Sequence, residues 1–235
     1  MARKLLAQLL AVLRSDLNER DQSNQGFIPC SVDVKVWQQA LPSVSSVRPS
    51  HCPWCGAASQ VAGEKLSLHG HGVRSRQQWG PPSPAAPPEF AEIVLRRYQC
   101  CECRGVCVVG PAGIVRRRLY SGAAIAWALA LYGLLKCRIA AVRCRTSPWR
   151  VLGAAARGSW HSLRRWLRAV REGALWPRLR LAPTHWVARQ VAEHVAASVS
   201  AQAPTRYAKE SIETRAFHGA SQPFCWMDLQ TNAAR

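Results

Sequence analysis

Apolar residues recur along the first part of the chain at the spacing of an amphipathic helix. Apolar residues three and four positions apart line up on one helical face, and residues 2–20 place such a stripe on Leu5, Leu6, Leu9, Leu13 and Leu17. Polar Gln8 interrupts the stripe and no small-residue cleavage site follows, so we predict an amphipathic helix rather than a signal peptide. Residues 33–40 predict a short helix or strand.

The segment from 48 to 110 has a different pattern, with short apolar stretches between glycines. Residues 61–79 alternate loosely between apolar and polar, and residues 89–100 contain the β-branched and aromatic side chains that strands favour. Between them, residues 80–89 contain five prolines. Proline breaks both helices and central strands, so we predict two strands joined by a proline-rich loop.

Residues 119–135 form an uncharged, almost wholly apolar run of 17 residues. A helix that crosses a bilayer needs about 20 apolar residues, and this run also holds tyrosine, serine and glycine. We therefore predict a buried core helix and no membrane span. Another helix is predicted at 184–200, with Pro183 and Thr184 at its start.

Residues 158–173, "GSWHSLRRWLRAVREG", predict an amphipathic helix with two unmixed faces. Ser159 suits the amino-terminal cap and Gly173 suits the end of the helix. One arc holds apolar Trp160, Leu163, Trp166, Leu167 and Val170. The opposite arc holds basic His161, Arg164, Arg165, Arg168 and Arg171. A basic helical face of this kind suits the DNA major groove, although a solvated basic face is the common alternative.

Charge is concentrated in the part of the chain that contains this helix. The chain has 32 basic and 13 acidic residues, a formal net charge of +19. Residues 96–180 contain 18 of the basic residues and only two acids, which suggests a polyanionic partner. All but five of the basic residues are arginine, which binds phosphates and guanine edges bidentately. A GC-rich genome explains part of the arginine bias but not its clustering.

Four of the ten cysteines form two C-x2-C pairs that 44 residues separate. We predict that Cys52, Cys55, Cys100 and Cys103 bind a structural Zn²⁺, since zinc prefers four tetrahedral ligands and a four-sulfur site has no open position for catalysis. Gly56 and Gly105 should relax the two turns. A redox pair is the weaker alternative because no βαβ pattern surrounds it. Rival ligands are Cys101, Cys107, His51, His69 and His71.

These elements predict an α+β, mostly helical fold with a small zinc-ribbon-like β module and a helix-turn-helix-like bundle. The predicted divisions are an N-terminal helical segment at 1–47, a zinc-ribbon-like domain at 48–112, a basic helical domain at 113–178, and a C-terminal helix and tail at 179–235. Residues 138–145 and 148–156 compete as the helix that supports the basic helix.

The order of these motifs resembles the amino-terminal half of certain bacterial insertion-sequence transposases. The resemblance rests on "CPWCG", "HGHGVRSR", "LRRYQCCEC" and "SWHSLRRWL" and covers roughly residues 48–172. A bacterial family of uncharacterised proteins that carry only this half is also similar. The resemblance implies a zinc-binding region followed by a helix-turn-helix, with Cys52, Cys55, Cys100 and Cys103 as ligands and Arg164 and Arg165 facing DNA.

The resemblance stops before catalysis. Such transposases cut DNA with three carboxylates that bind two metal ions, but after residue 180 the chain has only four acids in 55 residues. We therefore predict no catalytic residues and a cytoplasmic, nucleoid-associated protein that binds double-stranded DNA sequence-specifically, with a second copy or a transposase as a further partner. Alternatives are an RNA-binding zinc protein that uses Trp79 and Tyr98, a metal-dependent nuclease and a protein-binding zinc module.

Overall fold

A computed structural model describes residues 26–61, 63–149, 160–222 and 225. The predicted helix at 2–20 lies outside the described residues, and so does most of the candidate helix at 148–156. The described residues form four strands and six α-helices, so the fold is α+β. Helices account for 33% and strands for 21% of the described residues. The prediction of a mostly helical fold is therefore not confirmed.

The strands form one sheet in the order β1-β4-β3-β2. They are β1 (Gly26–Cys30), β2 (Leu68–Gly80), β3 (Glu89–Cys100) and β4 (Val106–Pro111). β3 lies at its predicted bounds, β2 starts later than its predicted segment, and the prolines occupy the connection between them. β3 and β4 pair antiparallel, with Tyr98 opposite Cys107.

The chain divides into two compact units, to which the long strands β2 and β3 both contribute. Of the described residues, the first contains 26–28, 42–61, 63–74 and 94–110, and the second contains 29–41, 75–93, 111–149, 160–222 and 225. In the first unit, Leu68, Leu95 and Tyr98 are almost completely buried. The hydroxyl of Tyr98 donates a hydrogen bond of 2.6 Å to the carbonyl of Val44.

The second unit contains the helices. They are α1 (Val34–Gln39), α2 (Gly122–Gly133), α3 (Ile139–Thr146), α4 (His161–Arg171), α5 (Ala188–Ser200) and α6 (Ile212–Gly219), with a short 3-10 helix at Thr205–Tyr207. α2 is the predicted core helix: Ser121 caps it by accepting a hydrogen bond of 3.0 Å from the Ala124 amide. Its side chains are buried on all faces, because α3, α4, α5 and α6 all contact it.

A glycine permits the contact between α2 and α5. A Cβ atom on Gly133 of α2 would lie 2.3 Å from the backbone nitrogen of Glu193 on α5. Since real Cβ atoms do not approach a backbone that closely, only glycine allows the two helices to touch here. Of the described helices, none is long and apolar enough to cross a membrane.

Candidate metal centre and arginine face

The two C-x2-C pairs meet in the first unit. The sulfur atoms of Cys52, Cys55, Cys100 and Cys103 all lie within 4.8 Å of one another. Cys52 Sγ is 3.6 Å from Cys103 Sγ, and Cys55 Sγ is 3.7 Å from Cys100 Sγ. Four thiolates about 2.3 Å from a tetrahedral zinc ion lie about 3.8 Å apart. The four sulfurs are therefore spaced so that they could hold one metal ion.

The first pair sits in a tight turn whose ends are tied together. A β-bridge joins His51 to Ala58, and the Cys52 amide donates a hydrogen bond of 2.8 Å to the Ala57 carbonyl. Gly56 has a φ of +72°, in the left-handed region that favours glycine. This is the relaxed turn that the sequence predicted, and it turns both thiols of the pair to the same side.

The second pair occupies the turn between β3 and β4. The Cys100 amide donates a hydrogen bond of 3.0 Å to the Gly105 carbonyl, which closes the turn. The left-handed residue is Arg104, with a φ of 60°, so the predicted backbone role of Gly105 was wrong. Instead, a Cβ atom on Gly105 would lie 2.3 Å from Cδ1 of Trp54. Glycine is needed there because the indole of the first turn packs against the backbone of the second.

None of the rival ligands belongs to the sulfur cluster. Cys101 follows Cys100 directly but is exposed. Cys107 is buried on β4, where burial raises the pKa of its thiol to about 11. The three candidate histidines are exposed, and His51 lies in the bridge that closes the first turn.

Local surroundings affect the thiols of the cluster differently. Burial raises the pKa of Cys52 to about 12, although backbone donors from Cys55 and Trp54 oppose the shift. The backbone hydrogen bond from Ala57 lowers the pKa of Cys55. Because its pKa is raised, the Cys52 thiol ionises at neutral pH only when a cation compensates the charge of the thiolate.

The helix α4 separates its faces as predicted. Trp160, just before the helix, and Leu163, Trp166, Leu167 and Val170 are all buried, whereas His161, Arg164, Arg165, Arg168 and Arg171 are exposed. Gly173 has a φ of +67°, and the Ala174 amide donates to the carbonyl of Ala169, which ends the helix as a glycine motif of this kind does. The predicted cap Ser159 lies outside the described residues.

Aromatic rings anchor the buried face of α4. Trp166 packs edge-on against Trp160 and Tyr120, with ring centroids 4.9 and 5.0 Å apart. The Tyr120 hydroxyl donates a hydrogen bond of 2.9 Å to Ser147 Oγ. These contacts bury large apolar surface and fix the direction in which the arginines point.

The arginines of the exposed face differ in how firmly the protein holds them. The guanidinium of Arg171 donates a hydrogen bond of 2.5 Å to the carbonyl of Trp186. Arg165 and Arg168 make no ion pair with any described residue. Arg118, in the loop after β4, lies close enough to Arg165 for the two charges to interact: burial first, and then Arg165, lowers the pKa of Arg118. Sequence reasoning missed Arg118, although the run "RRR" at 116–118 marks its loop as basic.

One residue suggested for base stacking is not available for it. Tyr98 is 0% exposed, since it packs in the core of the first unit, so its proposed role beside RNA bases was wrong. Trp79 is partly exposed.

Comparisons of the chain with protein families, with curated proteins and with solved structures find no match.

Proposed function

We propose that the chain is a DNA-binding protein in which a structural zinc ion stabilises the cysteine turns and α4 contacts the duplex. The observation that carries the proposal is the separation on α4 of an anchored aromatic face from an exposed face with four arginines. A helix held by its apolar side presents its basic side as a rigid unit. Such a unit matches the phosphates and base edges of a major groove.

Charge around the helix supports a polyanion rather than an acidic protein patch. Glu172 is the one acid among residues 103–180, which hold 16 basic side chains. Two close guanidinium groups such as Arg118 and Arg165 repel each other and are stabilised when an anion lies between them. Successive phosphates along a DNA strand provide such anions.

Zinc suits the cluster because all four donors are sulfur. Soft thiolates in a tetrahedral set select zinc or an iron–sulfur centre among common metals. Four protein ligands leave no position for water, so we assign the ion a role in folding rather than in catalysis. With two turns and the β3–β4 hairpin, the first unit then corresponds to a zinc ribbon, as the resemblance to transposase amino-terminal regions implies.

In this proposal, α3 and α4 take the places of the two helices of a helix-turn-helix. Both contact α2, which supports a bundle centred on that helix. In this proposal, the protein acts on the nucleoid in the cytoplasm as a regulator or accessory of a mobile element.

The test is binding of the zinc-loaded chain to a random duplex pool, followed by affinity measurements on the selected site. We expect recovery of a common sequence and at least a tenfold loss of affinity in the double variant Arg165→Ala, Arg168→Ala, since each good base or phosphate contact contributes about 1–3 kcal/mol. Lys209→Ala removes an exposed charge outside the basic segment and should bind as well as the wild type. Equal affinity of all three proteins would overturn the proposal.

A further inference from the structure

Two large aromatic side chains stand exposed on the second unit. Phe90 is 49% and Trp149 is 56% exposed, yet their ring centroids lie 4.9 Å apart at an angle of 74°. Both pack edge-on against Trp79, at 5.6 and 6.0 Å. Trp79 directly precedes the proline-rich loop and Phe90 directly follows it. The loop therefore brings the rings of these two residues into contact. Exposed aromatic clusters of this kind mark binding surfaces more often than isolated exposed rings do.

The exposed rings connect to the anchor of α4. Trp79 contacts Tyr120 at 5.4 Å, and Tyr120 contacts Trp166 of α4 at 5.0 Å. Two ring contacts therefore separate Trp79 from the helix that carries the arginines. A ligand on α4 and a ligand on the exposed rings would both rest on the same packed aromatic core.

Trp79 also lines a cleft of about 160 Å³ in the second unit. The other aromatic residues of the cleft are Tyr207, Phe217 and His218. Tyr207 and His218 stack in parallel, with centroids 3.7 Å apart at an angle of 5°. The walls of the cleft therefore present flat rings.

The charges in the cleft cancel. Lys35 and Arg206 line it together with Asp33 and Glu89, and Asp33 already accepts a hydrogen bond of 2.8 Å from the Lys35 amide. Burial, followed by the charges of Lys35 and Arg206, lowers the pKa of His218 to about 4, so the imidazole is neutral at neutral pH. Gln38, Gln78 and Gln222 add amide groups. A cleft with flat walls, amides and no net charge suits a flat, neutral ligand that both donates and accepts hydrogen bonds.

We propose that the exposed pair Phe90 and Trp149 and the adjoining cleft bind unpaired bases of a DNA whose double-stranded part lies on the arginine face. The inference rests on the proposed function and specifies its substrate as a duplex with a single-stranded extension. Every base offers a π-face to an aromatic ring and both donors and acceptors at its edge. The arginines of the same unit attract phosphates. This favours a nucleic acid over an apolar peptide as the ligand of the rings, because an apolar peptide carries no phosphates.

The test compares one labelled duplex with and without a five-nucleotide single-stranded extension, by fluorescence anisotropy at fixed salt. We expect the extension to strengthen binding about tenfold or more, since stacking of one base contributes of that order. The double variant Phe90→Leu, Trp149→Leu should lose this gain while binding the blunt duplex as before. Tyr207→Leu should lose part of it. Val187→Ala changes an exposed apolar residue outside the rings and should behave as the wild type.

A 2-aminopurine in the extension reports stacking directly, because its fluorescence is quenched when it stacks on an aromatic ring. Quenching by the wild type but not by the double variant supports the proposal. If the blunt duplex binds and the extension adds nothing, or if the double variant keeps the full gain, the base-binding inference is wrong and the proposed function stands. If the single-stranded extension binds through these rings and the blunt duplex does not bind, the rings do bind bases, but the duplex function and the placement of a duplex on the arginine face are both overturned. Failure of both DNAs to bind overturns both.

Discussion

Cys52 and Cys103 are 51 residues apart in the chain, yet their sulfur atoms lie 3.6 Å apart. The two thiols belong to different turns, so the contact between them depends on the way the first unit folds. A metal ion shared by the two turns would cross-link residues that are otherwise far apart in sequence. Binding of the ion and folding of this unit should therefore be one process.

Cys52→Ser tests this coupling. We expect loss of the bound metal and a decrease of several kcal/mol in the free energy of unfolding, because one ligand of four is removed. Cys101→Ser is the matched control: its thiol is exposed and outside the cluster, and it should keep one metal per chain. Metal content by mass spectrometry and thermal unfolding measure both effects. A Cys52→Ser protein with a full complement of zinc would contradict the ligand assignment.

His218 should make stability depend on pH. Its folded pKa of about 4 lies below the ordinary value of about 6.5, so protonation favours the unfolded chain. The contribution is complete above about pH 6.5 and is lost as the pH falls towards 4. The full shift corresponds to about 3 kcal/mol, and we expect about 1 kcal/mol because the ring is only half-buried.

Urea unfolding between pH 7 and 4.5 measures this dependence. The free energy of unfolding of His218→Gln should fall less steeply with decreasing pH than that of the wild type. The difference between the two curves gives the contribution of His218 alone, apart from all other titrating groups. His185→Gln replaces an exposed histidine and should follow the wild type. Parallel curves for the wild type and His218→Gln would show that protonation of this ring does not oppose folding.

Gly133→Ala should weaken the contact between α2 and α5. The added methyl group would meet the backbone at Glu193, and the helices must separate, at a cost of about 2–3 kcal/mol. Glu193→Ala is the control at the same contact. It removes the exposed ion pair with Lys136, which contributes less than about 1 kcal/mol. A Gly133→Ala protein as stable as the wild type in denaturant would mean that the helices can move apart freely.

Local patterns in the sequence predicted the elements whose own residues determine them. β3 was predicted at its observed bounds because its sequence contains β-branched and aromatic residues such as Ile93, Val94 and Tyr98, which favour strands. The two faces of α4 were predicted because no residue breaks its helical period. The approach of the four cysteine sulfurs to one another was predicted from the spacing of the two pairs, since a C-x2-C turn directs both thiols to one side.

Other elements depend on contacts that a local pattern does not contain. β4 is an apolar run, buried along nearly its whole length, and such a run lacks the alternation that marks a strand. α6 is only eight residues long and packs against α2 and α5, which stabilise it. The burial of Tyr98 and the close approach of Trp54 to Gly105 also arise from tertiary packing. The pairing of Phe90 with Trp149 joins residues 59 positions apart, which no local pattern reveals.

The salt dependence of duplex binding tests the central claim most directly, because each neutralised phosphate releases counterions. With six or more arginines engaged, raising the salt from about 50 to 200 mM should reduce affinity about a thousandfold. The double variant Arg165→Ala, Arg168→Ala should reduce the slope of log affinity against log salt by about two. An affinity for duplex DNA that does not change with salt, or a slope that the double variant leaves unchanged, would contradict the assignment of the arginine face to DNA.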